Sequence, residues 1–141
     1  MSPRPEKDVS LLLAGLRPSL QTTEYVFCSV PKDKEQTCWS EGPLATFREE
    51  EGLSVVLAKS SADRLGFPYD SVHRCISLRV FSSLEAVGLT AAISTRLAEA
   101  EISANVIAAT HHDHVLVRTS DAERALRVLQ HLSEASATRV G

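Results

Sequence analysis

The segment from Arg74 to Leu132 constrains the fold most, because its hydrophobic spacing alternates between strand-like and helix-like periods in a fixed order. Alternating apolar residues in 73–80 predict a strand, and the helical spacing of apolar residues in 89–100 predicts the helix that follows. Strands at 102–108 and 115–118 then precede a last helix, whose buried stripe is Ala122, Ala125, Leu126, Leu129 and Leu132. This order is typical of the split βαβ arrangement, which needs a fourth strand.

The first half of the chain predicts comparable elements in a less regular form. Asp8 or Ser10 is expected to cap a short helix that Gly15 ends. We expect strands at 24–30, 37–40 and 53–58, a helix at 45–51, and a second helix that starts near Ser60 and is ended by Gly66. Pro68 marks a boundary, because it breaks regular structure and the pattern restarts after it. The sequence therefore predicts an α+β fold of two small units packed side by side, 8–68 and 72–135.

The composition narrows the classes of function. The chain has 141 residues, of which 43% are hydrophobic and 23% charged, as is typical of a globular protein. Its net charge of −3 and its scattered basic residues argue against nucleic acid as a partner. Three cysteines without a CxxC pair favour a reducing, cytoplasmic location. Since no apolar run has the length of a transmembrane helix, we expect no membrane partner.

The run His111-His112-Asp113-His114 is a dense group of polar side chains at the link between the two later strands. If the run is extended, His112 and His114 share one face and can bind a metal ion together with a third ligand from elsewhere. The alternative, which we favour, is a polar hairpin turn without metal. Asp113 can pair with the ammonium or guanidinium group of a ligand, or it can bond its own backbone in the turn.

Gly88 lies immediately before the predicted helix at 89–100. A glycine at a helix start lets a ligand approach the backbone, where the free N–H groups favour a carboxylate. The alternative is that glycine is needed there only for a close crossing of strand and helix. Ser82 and Ser83 lack the pattern of a catalytic nucleophile with its base, so we expect no catalytic residues and no cofactor.

Several runs of the sequence resemble the ACT domain family, and in particular small bacterial-type tandem ACT proteins of mostly unassigned role. In the second half these runs are 82–90, 97–100, 102–107 and 112–117, which read SSLEAVGLT, LAEA, ISANVI and HDHVLV. In the first half they are 24–27 and 45–53, EYVF and ATFREEEGL. The resemblance covers about 10–135, and the ACT units of a cytosolic arginine sensor of animal growth signalling are similar.

The resemblance implies two ferredoxin-like βαββαβ units that bind an amino acid at an ACT–ACT interface and regulate another protein without catalysis. A free sheet edge makes self-association plausible, and we expect a homodimer. The ligand-binding residues that the resemblance carries over are Ser83, Val87, Gly88, Leu89, Asn105, Val106, Ile107, Asp113 and His114. Two other functions stay open: a metal-binding module or enzyme that uses His112 and His114, and an interaction module without a ligand.

One residue departs from the family pattern. The family usually has glycine between the first helix and the second strand, and this chain has Glu101 there. Glycine tolerates a positive φ at such a stop, whereas glutamate costs about 1 kcal/mol in the same conformation. The position of 105–107 relative to the family depends on how this turn is built.

Overall fold

The computed structural model describes residues 8–80 and 87–140, with the side chains of the last helix described to Thr138. The described part is mixed α+β, which confirms the predicted class. Its helices are α1 (Val9–Ala14), α2 (Glu35–Ser40), α3 (Lys59–Leu65), α4 (Leu89–Glu99) and α5 (Ala122–Val140). Its strands are β1 (Ser19–Val30), β2 (Ala45–Glu49), β3 (Gly52–Ala58), β4 (His73–Arg79), β5 (Ala104–Ala108) and β6 (His112–Arg118).

The chain divides into two compact units whose boundaries fall inside β1 and β4. One unit is formed by Thr22–Arg74, and the other by the residues up to Gln21 together with those from Cys75 onward. The second unit thus includes α1, which the predicted boundaries 8–68 and 72–135 assign to the first. Those sequential boundaries remain a prediction.

The unit Thr22–Arg74 is a three-stranded antiparallel sheet in the order β2-β3-β1, with α2 and α3. Tyr25 pairs with Ala58 and Val30 with Leu53, and the period of two puts alternate side chains into the core. Gly66 ends α3 with a left-handed φ of 75°, as predicted from the sequence. The core residues are Val26, Cys28, Val30, Cys38, Leu53, Val55, Leu57, Ala62 and Phe67.

Two predicted elements of this unit are wrong. Residues 37–40 belong to helix α2 instead of a strand. A 3-10 turn at Lys32–Lys34 runs directly into that helix, and the helix places Cys38 in the core. Residues 45–49 form strand β2 instead of a helix. In that segment pairing with β3, together with the strand preference of Thr46 and Phe47, outweighs the helical preference of alanine, arginine and glutamate. Arg48 also forms an ion pair with Glu35 at 3.2 Å.

The other unit has the strand order β4-β6-β5, with α1, α4 and α5 on one face. Helix α1 is capped by the Asp8 carboxylate, which accepts from the N–H groups of Ser10 and Leu11 at 2.9 and 3.3 Å. The alternation predicted for β4 and the helical stripes predicted for α4 and α5 are confirmed. The core includes Leu16, Ile76, Leu78, Ile93, Leu97, Val115, Val117, Ala125 and Leu129.

The turn between α4 and β5 retains the backbone shape expected of a glycine. Glu101 has a left-handed φ of 59°, and the Ile102 N–H donates to the Leu97 carbonyl at 2.9 Å. Glutamate therefore occupies the conformation that the family gives to glycine, and β5 begins at Ala104.

The predicted turn at 111–114 is wrong in extent, since β6 already begins at His112. The polar run is thus largely strand, because it pairs with β5.

Candidate functional site

Gly88 lies at the start of α4 and has a positive φ of 98°. Apart from Gly88 itself and its chain neighbours, only the Val9 Cγ2 atom of the described residues comes within 4 Å of the position that a Cβ would occupy, at 3.9 Å. The glycine is exposed and has no side chain with which to cap the helix. The first N–H groups of α4 therefore receive no side-chain cap from Gly88, and the backbone there is open to approach.

A cavity of about 420 Å³ lies beside Gly88, within the unit that contains α1, α4 and α5. Its volume falls in the range that small-molecule sites usually have. Thr95 and Ser136 supply hydroxyls, Arg96 supplies a guanidinium group, and small or apolar side chains form the rest. The lining is Leu13, Gly88, Ala91, Ala92, Thr95, Arg96, Leu132, Ala135 and Ser136.

Sequence reasoning missed every lining residue of this cavity except Gly88. Ala91, Ala92 and Thr95 were detectable, because they follow Gly88 at the three- and four-residue spacing of one helix face. The contributions of α1 and α5 had no local signal. They depend on the packing of these helices, where the Ser133 hydroxyl donates to the Ala14 carbonyl at 3.1 Å.

The neighbours of Gly88 in the predicted site have different environments. Val87 is 85% exposed, whereas the side chain of Leu89 is buried in the core. Ser83 lies outside the described residues. Of the three predicted residues that the structure describes around the helix start, only Gly88 lines the cavity.

The predicted residues of β5 alternate between the two faces of the sheet. Asn105 is exposed and pairs with Leu116 of β6, and Ile107 pairs with His114. Val106 pairs with Val115 and packs against the core. None of these three residues lines the cavity beside Gly88.

Asp113 is a buried carboxyl group on the core side of β6. Its side chain is 4% exposed and lies on the same face as Val115 and Val117, while its backbone pairs with Ala108. Burial raises the pKa of the Asp113 carboxyl, and the nearby His114 partly opposes that increase. A buried carboxyl with a raised pKa is the kind of group that binding sites hold at a cost in stability.

Replacing Asp113 by asparagine is expected to stabilise the protein at neutral pH. Because the pKa is raised in the folded state, the folded protein holds this proton more tightly than the unfolded chain does. Ionised Asp113 therefore destabilises the fold above the raised pKa, and this penalty disappears as the pH falls toward the ordinary carboxyl range. Urea unfolding of both proteins between pH 4 and 8 should show the variant's advantage at high pH and its loss at low pH.

The exposed Asp33 offers a matched control for this prediction. Asp33→Asn should change the free energy of unfolding by less than about 0.5 kcal/mol throughout the same pH range. An Asp113→Asn protein that is no more stable than the parent at pH 8 would contradict the prediction.

His114 lies on the opposite face of the sheet from Asp113, because neighbouring residues of a strand point in opposite directions. Its Nδ1 atom is 3.5 Å from the Ser77 Oγ atom and 3.9 Å from the Cys75 Sγ atom. Burial raises the pKa of the Cys75 thiol. The predicted pair Asp113 and His114 therefore lies on two opposite faces of the sheet.

Among residues 8–80 and 87–140, no group of three His, Cys, Asp or Glu side chains is arranged to hold a metal ion.

Comparisons with known protein families match both halves of the chain. The ACT domain pattern matches residues 4–74 in one form and residues 70–131 in a second form. No curated protein matches the sequence. In the described part of the chain, no helix combines the length and hydropathy needed to cross a membrane.

Solved structures extend the likeness. A protein of unknown function from Vibrio cholerae, described as a possible transport protein, is 44% identical; the match covers 90% of this chain and 97% of that one, with a TM-score of 0.80. An Agrobacterium tumefaciens protein is 17% identical over 94% and 91% of the two chains, with a TM-score of 0.64. The ligand-free regulatory subunit of aspartate kinase from Thermus thermophilus is 10% identical over 84% and 98%, with a TM-score of 0.58.

The last two likenesses show the fold alone, whereas the two family patterns show membership. ACT domains are typically regulatory modules that bind small ligands. The chain therefore belongs to the ACT domain family and contains two ferredoxin-like ACT units in tandem.

Proposed function

We propose that this protein is a non-catalytic regulator that binds an amino acid at the cavity beside Gly88. The observation that carries the proposal is the positive-φ glycine at the start of α4, exposed and adjoining a cavity of about 420 Å³. The proposal includes cytoplasmic residence and a homodimer in which an ACT–ACT interface completes the site. Light scattering of the purified protein tests the dimer separately.

The start of α4 suits the carboxylate of an amino acid. The helix has 11 residues, so its aligned peptide dipoles place partial positive charge at the N-terminal end. Glycine leaves room for a carboxylate to reach the backbone N–H groups, whereas any side chain at Gly88 would occupy that approach. Thr95, Ser136 and Arg96 offer polar groups to the remainder of the ligand.

The α-ammonium group of an amino acid needs a negative partner, and the proposal assigns this role to Asp113. Asp113 is outside the lining of the Gly88 cavity, so this assignment rests on the family resemblance. Its carboxyl is buried on the helix-covered face of the sheet, where an ammonium group would favour the ionised form. Ser83 stays in the proposed site on the family resemblance alone. Support for regulation comes from the family, and the Thermus thermophilus neighbour is itself the regulatory subunit of an aspartate kinase.

Thermal and urea unfolding with each of the twenty amino acids tests the proposal. A ligand present at about 100 times its dissociation constant should add about 2.7 kcal/mol to the free energy of unfolding. We expect one amino acid, or a few related ones, to raise the melting temperature while the others leave it unchanged. A panel in which none of the twenty changes the melting temperature would contradict the proposal.

Gly88→Leu is expected to abolish this ligand response, because the new side chain fills the approach to the helix start. Gly66→Leu is the matched control, since Gly66 is also exposed, has a left-handed φ of 75° and ends a helix away from the cavity. Both variants should lose about 1–2 kcal/mol of stability through backbone strain. Only Gly88→Leu should lose the response, and an equal response in the two variants would contradict the proposed site.

A further inference from the structure

The sheet face opposite the core of the second unit carries a concentration of polar side chains. Ser77 and Arg79 of β4 alternate with the buried Ile76 and Leu78, so they point away from the core. His112 and His114 of β6 lie on this same side by the same rule, with ring centroids 6.3 Å apart. These four polar side chains line a cavity of about 380 Å³.

The start of β1 completes this cavity and places a second arginine there. The Arg79 N–H donates to the Leu16 carbonyl at 2.6 Å, which fixes the residue before Arg17 next to the end of β4. Arg17 has a left-handed φ of 45°, a conformation that costs a non-glycine residue about 1–2 kcal/mol. The two arginines, distant in sequence, therefore line one cavity together with Ser19 and Gln21.

The charge of this cavity is opposite to that of the chain as a whole. The chain has 18 acidic and 15 basic residues, yet the cavity lining contains two arginines, two histidines and no carboxylate. Within the described residues, neither Arg17 nor Arg79 has an ion-pair partner. Two guanidinium groups that share a cavity repel each other, and an anion between them removes that repulsion.

The remaining groups are hydrogen-bonding groups suited to oxygen atoms. The Nδ1 atom of His114 contacts Ser77, which leaves the Nε2 atom as the other hydrogen-bonding position of the ring. Ser19 and Gln21 add neutral hydrogen-bonding groups to the lining. A guanidinium group presents its N–H groups in a planar fork, and that geometry matches the paired oxygens of carboxylate and phosphate.

We propose that this sheet-face cavity binds a small ligand with two negative charges, of the phosphomonoester or dicarboxylate class. Two guanidinium groups balance two negative charges, whereas the single carboxylate of an ordinary α-amino acid balances one. The ligand class thus differs from the one proposed for the Gly88 cavity, and the two cavities share no lining residue.

Calorimetric titration of the full chain with inorganic phosphate, succinate and acetate at constant ionic strength tests this inference. We expect phosphate or succinate to bind about tenfold or more tightly than the singly charged acetate. The anion that binds more tightly identifies the class of the ligand. Equal affinity for the three anions, or no binding of phosphate and succinate at millimolar concentration, would overturn the inference.

Two substitutions connect the binding to the cavity. Arg79→Gln and Arg17→Gly should each weaken binding of the preferred anion by about tenfold or more, because each removes a charge-assisted hydrogen-bond donor. Arg17→Gly also keeps folding intact, since glycine adopts a positive φ without strain. Retained affinity in both variants would overturn the assignment.

Arg127→Gln is the control variant, because Arg127 is a residue of α5 outside the cavity lining and its loss changes the net charge equally. We expect its anion affinity to stay within about twofold of the parent. An equal loss in Arg127→Gln and Arg79→Gln would reveal a general charge effect and overturn the inference. The Gly88→Leu variant should bind the dianion normally, so a failure of amino-acid binding and a failure of this site are separate results.

Discussion

Replacing Leu97 by alanine is expected to lower the free energy of unfolding by about 3 kcal/mol, within the usual range for a large-to-small change in a core. Leu97 is fully buried on α4 and belongs to the core cluster that joins this helix to the sheet and to α5. Its carbonyl also accepts N–H groups from Ala100 and Ile102 at the end of the helix, at 3.1 and 2.9 Å. Alanine keeps those backbone bonds, so the loss isolates side-chain packing.

Urea unfolding followed by circular dichroism measures this change. Leu11→Ala is the matched control, because Leu11 lies on a helix of the same unit but is 47% exposed. Its substitution should cost less than about 1 kcal/mol, since little buried area is lost. Equal losses at the two leucines would show that Leu97 is not packed as described.

The second large effect is expected at Gly52, at the start of β3. Its φ is 143°, and an added Cβ would lie 3.1 Å from the Val30 carbonyl oxygen, a backbone atom with little freedom to move. Gly52 also pairs with Glu49, so it closes the hairpin between β2 and β3. Gly52→Ala combines backbone strain with this close contact and should cost about 2 kcal/mol of stability.

Gly42→Ala separates the cost of backbone strain from the cost of the close contact with Val30. Gly42 has a positive φ of 66°, but apart from Gly42 itself and its two chain neighbours, no atom of the described residues lies within 4 Å of the position that an alanine methyl group would take there. Only the backbone strain of about 1 kcal/mol therefore remains in this variant. Melting curves of the two variants should differ, with Gly52→Ala unfolding at the lower temperature. Identical melting temperatures would contradict a role for the Val30 contact.

Much of the fold was predictable from local patterns. The spacing of Leu89, Ile93 and Leu97 predicted a helix that the structure has, because all three side chains fall on one face and are buried. The caps at Asp8 and Gly66 were also predictable, since they depend on neighbouring residues only. These elements are determined within a few turns or a few residues of the chain.

The wrong secondary-structure predictions concern segments whose conformation depends on partners distant in sequence. Residues 45–49 have side chains compatible with a helix, yet they pair with β3 and form a strand. Residues 37–40 follow a charged turn and form a helix that buries Cys38 in the core of the unit Thr22–Arg74. In both segments the local preference is weak, and the contacts that outweigh it appear only in the tertiary structure.

The candidate site was likewise predictable only in part from the sequence. Gly88 was identified from its position before a helix, and the structure places it beside a cavity. The extended alternative placed Asp113 and His114 on different faces, but the prediction that we favoured treated their segment as a turn. Strand β6 begins at His112, so the period of two places the neighbouring side chains on opposite faces of the sheet.

The sequence by itself determined the α+β class, the resemblance to tandem ACT domains and the glycine at the start of α4, since periodicity and short motifs are local properties of the chain. Only the tertiary structure decided which residues share a cavity. Leu13 and Ser136 join Gly88 because α1 and α5 pack beside α4, and Arg17 joins Arg79 because the residue before Arg17 bonds to β4. Proximity between distant segments is a product of packing and strand pairing, and the spacing of residues along the chain does not encode it.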